Sequence, residues 1–293
     1  IISISHLNKM LVLADEAHGS HLPFHPCLPS SAIALGTDLS AISLHKTGGS
    51  MTQSSVLLLN KQNINPSRVN TIINLMQTTS ASYILMASLE LARKHLALRG
   101  NSMVNTVLQL AKYARKKINE IDGLYAFGPE LIGQPGVFDF DETKLCVNVR
   151  NLGMSGYQME SILRKEYNIQ IEMSDFHNIL AIISLGDEEK PIHCFIDALK
   201  DIVRRYGIHD SGCPIIILPI LKMVVSPREA FYCNKKSVPL EKSIGEISGE
   251  MAMAYPPGIP ALCPGERITT EIVEYIKMMK ESKYQLQGTE DPY

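Results

Sequence analysis

Two short apolar segments near the start of the chain each end in a cluster of titratable side chains. The segment LVLA at 11–14 is followed by DEAH at 15–18, and LSAISL at 39–44 is followed by HKTGG at 45–49. Carboxylates, imidazoles and a lysine amine are the groups with which enzymes move protons and attack electrophiles. The two clusters therefore mark a candidate catalytic site.

The apolar segments before these clusters are predicted to be strands. A continuous apolar run of this length is typical of a strand buried on both faces in a parallel sheet, and SVLLL at 55–59 predicts a third strand. Lys46 follows Asp15 by 31 residues, which suits one strand–connection–strand step. Because ligands of open α/β sheets bind at the carboxyl ends of strands, Asp15 and Lys46 are expected to face one crevice.

A lysine beside glycines after a buried strand is suited to covalent catalysis. Removal from water lowers the proton affinity of an amine and makes it a nucleophile toward aldehydes. Pyridoxal phosphate is the cofactor that binds a lysine through its aldehyde and pairs its pyridine nitrogen with an acidic side chain. Lys46 and Asp15 are the candidates for these two roles.

Other interpretations of the same residues remain open. The letters DEAH also occur in nucleotide-hydrolysing helicases, but that class needs a GxxxxGK[ST] phosphate loop upstream, and the sequence before Asp15 has none. A metal site at His18, His21 and His25 is conceivable, although their segment has no firm ligand spacing, and no metal is expected. His18 and His45 are also compatible with purely structural hydrogen bonding.

Longer motifs around both clusters carry a family resemblance. They are DEAHGSHLPFHP at 15–26, LGTDLSAISLHKTGGSMTQSSVLL at 35–58, QTTSASYILMASLELAR at 77–93 and ISGEMAMAYPPGIPALCPGE at 247–266. In this order, over nearly the whole chain, they resemble the bacterial Orn/Lys/Arg decarboxylases, which are pyridoxal phosphate enzymes of fold type I. The resemblance implies an α/β fold in which the large domain lacks its N-terminal half, followed by a small α/β domain and a C-terminal α+β domain.

Three domains are expected from the resemblance and the composition. Residues 1–120 are expected to be the C-terminal part of the large pyridoxal phosphate-binding domain, 121–210 the small α/β domain, and 211–293 the family's C-terminal domain. A glycine- and proline-rich connector at 122–142 marks the first boundary. Within the last domain, AYPPGIPALCPGE at 254–266 is too rich in proline for regular secondary structure.

The family's large domain begins far before the DEAH strand. Its upstream half supplies a phosphate-binding turn and a side chain that stacks on the cofactor ring. Neither is in this sequence, so the chain is expected to be a fragment whose activity needs the upstream segment.

The resemblance implies a role for each residue near the two strand ends. Asp15 would pair with the pyridine nitrogen, and Lys46 would carry the covalent bond to the cofactor. Ala17 would pack against the ring face. Ser43 and His45 would contact the phosphate, and His45 is also a candidate for proton transfer.

The remaining implied site residues are more dispersed. His18 would lie near the cofactor's O3′ or the substrate carboxylate. Thr79 and Ser80 would reach a phosphate across a dimer interface, or else cap the helix that follows them. Glu250 and Tyr255 would lie near the substrate entrance.

The implied activity is decarboxylation of a basic amino acid in polyamine metabolism, with arginine favoured over lysine and ornithine. At least a homodimer is expected. An aminotransferase or another pyridoxal phosphate lyase of the same fold would share Asp15 and Lys46, and Arg150 could then bind the substrate carboxylate. A catalytically silent paralogue that only dimerises is a further alternative.

Composition argues against several kinds of partner. The 293 residues carry a formal net charge of −2, so no basic surface indicates nucleic acid or anionic lipid. The apolar run PIIILPILKMVV at 214–225 is too short and too interrupted by proline to cross a membrane. The six cysteines form no CxxC pair, which predicts buried free thiols in a cytoplasmic protein.

Apolar periodicity predicts most of the helices. Helical spacing predicts one helix over 83–99 that ends at Gly100 and a second helix over 103–118. Two capping signatures predict helices that begin after Ser155 and after Ser226.

Overall fold

The fold is given by a computed structural model that describes residues 1–209, 218–255, 258–281 and 286–289. It divides into two compact units, Ile1–Val147 with Ala181–Arg205 and Asn148–Leu180 with Tyr206–Tyr293. Cys213 and the first part of the apolar run at 214–225 lie outside the described residues. None of the helices that the structure describes is long and apolar enough to cross a membrane.

The described residues form eight helices and ten strands in mixed order along the chain. The helices are α1 (Ile2–Leu7), α2 (Leu44–Thr47), α3 (Pro66–Met76), α4 (Tyr83–Ile118), α5 (Gly156–Tyr167), α6 (Glu189–Tyr206), α7 (Pro227–Tyr232) and α8 (Thr270–Glu281). The strands are β1 (Leu13–Asp15), β2 (Leu39–Ser43), β3 (Ser55–Leu59), β4 (Tyr125–Ala126), β5 (Lys144–Asn148), β6 (Met173–Ser174), β7 (Asn178–Ile182), β8 (Ala252–Ala254), β9 (Ile259–Leu262) and β10 (Leu286–Gln287).

The first sheet has the order β1-β2-β3 and carries both predicted clusters. Strands β1 and β2 are parallel, with Asp15 opposite Ala41, and β3 is antiparallel to β2. The three predicted strands are confirmed. Burial of β1 on both faces is wrong, because Leu13 is 68% exposed and Asp15 is exposed as well.

Helix α4 replaces the two helices that the sequence predicts. It runs for 36 residues through Gly100 without a break. The glycine is needed for close packing instead of helix termination, since a Cβ at this position would lie 2.6 Å from Cδ1 of Phe24. Phe24 ends a 3₁₀ turn, Leu22–Phe24, and packs with Val104 and Leu108 of α4.

We expect Gly100→Ala to destabilise the protein by about 1–3 kcal/mol, because the added methyl group must displace the Phe24 ring. Urea unfolding followed by circular dichroism measures the change. Gly186→Ala is the matched control, since a Cβ at Gly186 would meet no atom within 4 Å. Equal stability of the two variants would show that Gly100 does not limit the packing of α4.

A buried carboxylate lies where strands β1 and β2 begin. Asp38, 0% exposed, accepts hydrogen bonds from the Val12 amide at 2.7 Å, the His6 ring at 2.9 Å and the Asn63 side chain at 2.6 Å. The Val12 and His6 hydrogen bonds outweigh the opposing effect of burial and hold the pKa of Asp38 at about 2. The carboxylate thereby sets the position of β1 beside β2.

This network makes stability depend on acid pH. Because the pKa of Asp38 falls from 3.8 to about 2 on folding, its stabilising contribution is complete above pH 3.8 and is lost as the pH falls toward 2. We expect the urea midpoint of the wild type to drop more steeply below about pH 4 than that of Asp38→Asn. The exposed Asp139→Asn serves as control, and parallel pH profiles for wild type and Asp38→Asn would contradict the expectation.

The second unit confirms both predicted helix starts. Ser155 and Gln158 form a capping box at α5, and Ser226 and Glu229 form one at α7. Strands β6 and β7 pair antiparallel, with Met173 opposite Leu180 and Ser174 opposite Ile179.

The proline-rich segment at 254–266 is more regular than predicted. It contributes the end of β8 and all of β9, which pair antiparallel in a sheet of order β10-β8-β9. Pro260 is tolerated because β9 is an edge strand and a register shift lies between Ala252 and Met253 of β8.

The described cysteines form no disulfide bond, but their predicted burial is wrong. Cys27, Cys194 and Cys233 are exposed, and Cys146 and Cys263 are partly buried. Burial raises the pKa of the Cys263 thiol, with a smaller contribution from Glu266.

Candidate active site

Asp15 is the last residue of β1 and faces solvent. Its Oδ1 accepts a hydrogen bond of 3.0 Å from the amide of Ala17, which fixes the carboxylate across the turn that follows the strand. Its Oδ2 has no hydrogen-bond partner among the described residues. One carboxylate oxygen therefore remains available to a ligand.

Lys46 lies on α2, the single helical turn that follows β2. Its Nζ is 3.2 Å from Nε2 of His18, and its side chain is exposed. Because β1 and β2 are parallel neighbours, the DEAH segment and α2 leave the sheet at the same edge. The structure thus brings Asp15, His18 and Lys46 to one end of the sheet.

Residues on either side of Lys46 anchor α2 to the protein. Leu44 is buried in a cluster with Ala92 and Leu96 of α4. Nδ1 of His45 is 2.8 Å from the carbonyl oxygen of Ser54. A carbonyl only accepts, so Nδ1 of His45 carries a proton and donates it to Ser54.

The end of α2 is anchored through a hydroxyl pair. Oγ1 of Thr47 lies 2.7 Å from Oγ of Ser20, and both side chains are buried. Gly48 follows directly, and a Cβ there would lie 3.0 Å from Oγ of Ser20. The contact between Ser20 and Thr47 was not predicted from the sequence. It joins residues 27 apart and forms only when β1 and β2 pair.

Glu16, the other acid of the DEAH segment, turns away from Lys46 into the protein. It accepts hydrogen bonds from the Ala32 amide at 2.8 Å and from the Ser40 hydroxyl. It is therefore a structural residue that holds the connection between β1 and β2. Ser43, the last residue of β2, lies at the N-cap of α2 without making a side-chain capping bond.

Thr79 and Ser80 lie in the exposed connection between α3 and α4. The helix cap of α4 is Ser82, whose hydroxyl accepts from the amide of Leu85 at 3.4 Å. The alternative in which Thr79 and Ser80 cap this helix is therefore wrong, and their contact with a phosphate stays a prediction.

Other predicted site residues belong to the second unit. Glu250 is half-buried and donates its amide to Oγ of Ser248 at 3.3 Å, while Tyr255 is exposed after β8. Arg150 begins a 3₁₀ turn, Arg150–Leu152. Their roles toward a substrate stay predictions.

The three histidines considered as a metal site point to different partners. Nε2 of His21 faces Asp141 at 3.1 Å, and Nδ1 of His25 accepts from the amide of Cys27 at 3.2 Å. Within the described ranges, no group of three His, Cys, Asp or Glu side chains could hold a metal ion.

Solved structures with this fold define its class. The protein superposes on the lysine decarboxylase of Francisella novicida with a TM-score of 0.75 at 20% identity, covering 93% of this chain and 50% of that one. The constitutive lysine decarboxylase of Escherichia coli gives 0.72 at 18% identity, covering 96% and 52%. An alanine–glyoxylate aminotransferase from Nostoc gives 0.51 at 15% identity, covering 69% and 56%. The fold is the predicted fold type I of pyridoxal phosphate enzymes.

Family models narrow this class. Residues 1–149 match the Orn/Lys/Arg decarboxylase major domain, and residues 216–291 match the C-terminal domain of the same enzymes. The chain belongs to the Orn/Lys/Arg decarboxylase family, as its motifs predict. The three-part domain division stays a prediction.

Curated relatives share the whole length of this chain. It is 44% identical to an arginine decarboxylase of Halalkalibacterium halodurans over 99% of the chain and 60% of the relative. It is 40% identical to an arginine decarboxylase of Bacillus subtilis over the same shares. A lysine decarboxylase of Hafnia alvei is 24% identical over 91% of this chain and 48% of the relative. The chain thus spans about 60% of the length of these arginine decarboxylases.

Proposed function

We propose that this protein acts in the pyridoxal phosphate-dependent decarboxylation of a basic amino acid, with arginine as the favoured substrate. The observation that carries the proposal is the placement of Asp15 and Lys46 at the carboxyl ends of paired parallel strands, with His18 at 3.2 Å from the Lys46 amine. The relatives' identities favour arginine, since the arginine decarboxylases are 40–44% identical and the Hafnia lysine decarboxylase is 24% identical.

The chemistry of these side chains fits the cofactor. Lys46 offers an exposed primary amine to an aldehyde, and Asp15 offers a free carboxylate oxygen to a protonated ring nitrogen. Ala17, whose amide holds Asp15, is small enough to let a flat ring approach. When bound, pyridoxal phosphate supplies an electron sink for the pair released when the substrate loses its carboxylate.

With pyridoxal phosphate bound, Asp15 would be the carboxylate that holds a proton on the ring nitrogen. The hydrogen bond from the Ala17 amide fixes its direction, so that the charge is oriented before a ligand binds. This orientation is the contribution of β1 to the reaction.

Lys46, His18 and His45 are assigned to positioning the amine and to proton transfer. His18 exchanges a hydrogen bond with Nζ of Lys46 and helps to position the amine. Lys46 and His45 are the candidates for returning a proton to the substrate α-carbon, and the Ser54 carbonyl holds the His45 ring in one tautomer.

Phosphate and substrate contacts complete the proposed site. We assign Ser43, His45, Thr79 and Ser80 to the phosphate. Glu250 and Tyr255 are assigned to the substrate entrance.

The proposal is tested with the full-length gene product. An absorbance scan with added pyridoxal phosphate detects binding, and CO₂ release is then measured in parallel from arginine, lysine and ornithine. Fastest release from arginine supports the proposal. Formation of a keto acid without CO₂ would indicate an aminotransferase, and absence of cofactor binding would indicate a silent paralogue.

An exposed apolar surface supports a homodimer or a higher homo-oligomer. The α3–α4 apolar surface consists of side chains that are all at least half exposed: Ile72, Leu75, Met76, Tyr83 and Ile84. Exposed apolar side chains on neighbouring segments of the chain are typical of contact surfaces. Thr79 and Ser80 lie between the two helices in the sequence, so an interface here would bring them close to a second copy.

We expect Leu75→Glu to shift the protein from dimer toward monomer, because a charge at a residue 75% exposed in one copy would be buried at the interface. Light scattering after size-exclusion chromatography measures the mass. Leu98→Glu, at a leucine 72% exposed outside this surface, is the control. An unchanged dimer in Leu75→Glu would place the interface elsewhere.

A further inference from the structure

A buried histidine lies just beyond the DEAH segment. His21 is 3% exposed, and its Nε2 lies 3.1 Å from Oδ2 of Asp141 and 3.2 Å from Oγ1 of Thr143. The Thr143 hydroxyl donates its own proton to Oδ1 of Asp141 at 2.7 Å. Nε2 of His21 must therefore be the donor to both oxygens, which fixes the tautomer and the plane of the ring.

Asp141 is a charged anchor for this ring. Burial opposes its ionisation, but the hydrogen bond from His21 and the Lys144 amine at 3.3 Å hold the pKa of Asp141 well below its usual range. The carboxylate remains ionised, and a charged acceptor makes the stronger hydrogen bond. Nδ1 of His21 has no partner among the described residues. His21 and Thr47 line the same small cavity.

The same segment holds the turn that carries Lys46. Ser20 precedes His21 and contacts the Thr47 hydroxyl at 2.7 Å, with both side chains buried. A chain of contacts thus runs from Asp141 through His21 and Ser20 to Thr47, the residue after Lys46. His21 and Asp141 are 120 residues apart in the sequence, so their contact depends on the tertiary fold.

We propose that His21 is a positioning residue that, anchored by Asp141 and Thr143, holds the Ser20–Thr47 contact and thereby sets the position of the Lys46 amine beside His18. The inference rests on the proposed function, since it gives Lys46 a cofactor to meet. His21 itself contacts neither Lys46 nor the exposed face of Asp15 in this arrangement.

Two pairs of substitutions in the full-length gene product test the proposal. His21→Leu removes the donor to Asp141, whereas His21→Gln keeps an N–H at nearly the same reach. Thr47→Val removes the hydroxyl at constant shape, whereas Thr47→Ser keeps it. We expect the leucine and valine variants to weaken pyridoxal phosphate binding about tenfold in an absorbance titration and to lower kcat with little change in KM, while glutamine and serine restore both.

A second readout does not need the cofactor. The rate at which an amine-acylating reagent labels Lys46 of the apoprotein, followed by mass spectrometry with Lys61 as internal reference, reports the surroundings of the amine directly. We expect His21→Leu and Thr47→Val to change the labelling of Lys46 several-fold and to leave Lys61 unchanged.

The outcomes separate the two proposals. Loss of thermal stability in His21→Leu and Thr47→Val with unchanged Lys46 labelling would overturn the positioning role and leave a structural one. Altered labelling in a protein that binds no pyridoxal phosphate would instead overturn the proposed function and retain the placement of Lys46 by His21. If His21→Leu fails to fold, Thr47→Val decides the question.

Discussion

Lys46→Ala is expected to abolish covalent binding of pyridoxal phosphate and to lower CO₂ release from arginine by at least about 10³-fold. The exposed amine beside His18 is the group that we assign to the cofactor aldehyde, and loss of an acid–base group alone costs about 10²–10⁴ in rate. Absorbance of the purified variant and single-turnover CO₂ release measure the two effects.

The control for this substitution is another exposed lysine of the same unit, Lys61→Ala. It should keep the cofactor absorbance and the rate of the wild type. A Lys46→Ala protein that still shows the absorbance of lysine-bound cofactor would assign the covalent bond to another amine and remove the basis of the proposed function.

Asp15→Asn is expected to lower the rate by about 10²–10³-fold while leaving the fold intact. The amide oxygen of asparagine can still accept from the Ala17 amide, so the turn after β1 is kept and only the charge beside the ring nitrogen is lost. The measurement is kcat for arginine, together with urea unfolding of the apoprotein.

Asp139→Asn is the matched control for the charge change. Asp139 is exposed, and its carboxylate likewise accepts a backbone amide, that of Phe140 at 2.8 Å. Equal kcat in Asp15→Asn and wild type would show that the carboxylate at the end of β1 is a strand-end cap without a role in the chemistry.

The relation between Asp15 and Lys46 could be predicted because it depends on local rules. Two apolar runs separated by one connection predict neighbouring parallel strands, and their carboxyl ends meet at one edge. The capping signatures at Ser155 and Ser226 were readable for the same reason, since each satisfies backbone amides within one turn.

The features that the sequence did not reveal depend on tertiary packing. In the sequence, Gly100 is typical of a residue that ends a helix. The structure shows that glycine is required there because the Phe24 ring packs against α4. The partner of His21 lies 120 residues away, at a distance that no spacing rule covers. Exposure of Leu13 likewise depends on which elements lie beside β1.

The anchoring of α2 through Leu44, His45 and Thr47 has a consequence for substitutions at position 46. Three of the four residues of α2 make the contacts that hold this turn to the protein. The Lys46 side chain is therefore expected to contribute to the chemistry and little to stability. An alanine there should leave the free energy of unfolding within about 0.5 kcal/mol of the wild type. Such a well-folded but inert scaffold would be suitable for trapping unreacted amino acids in crystals.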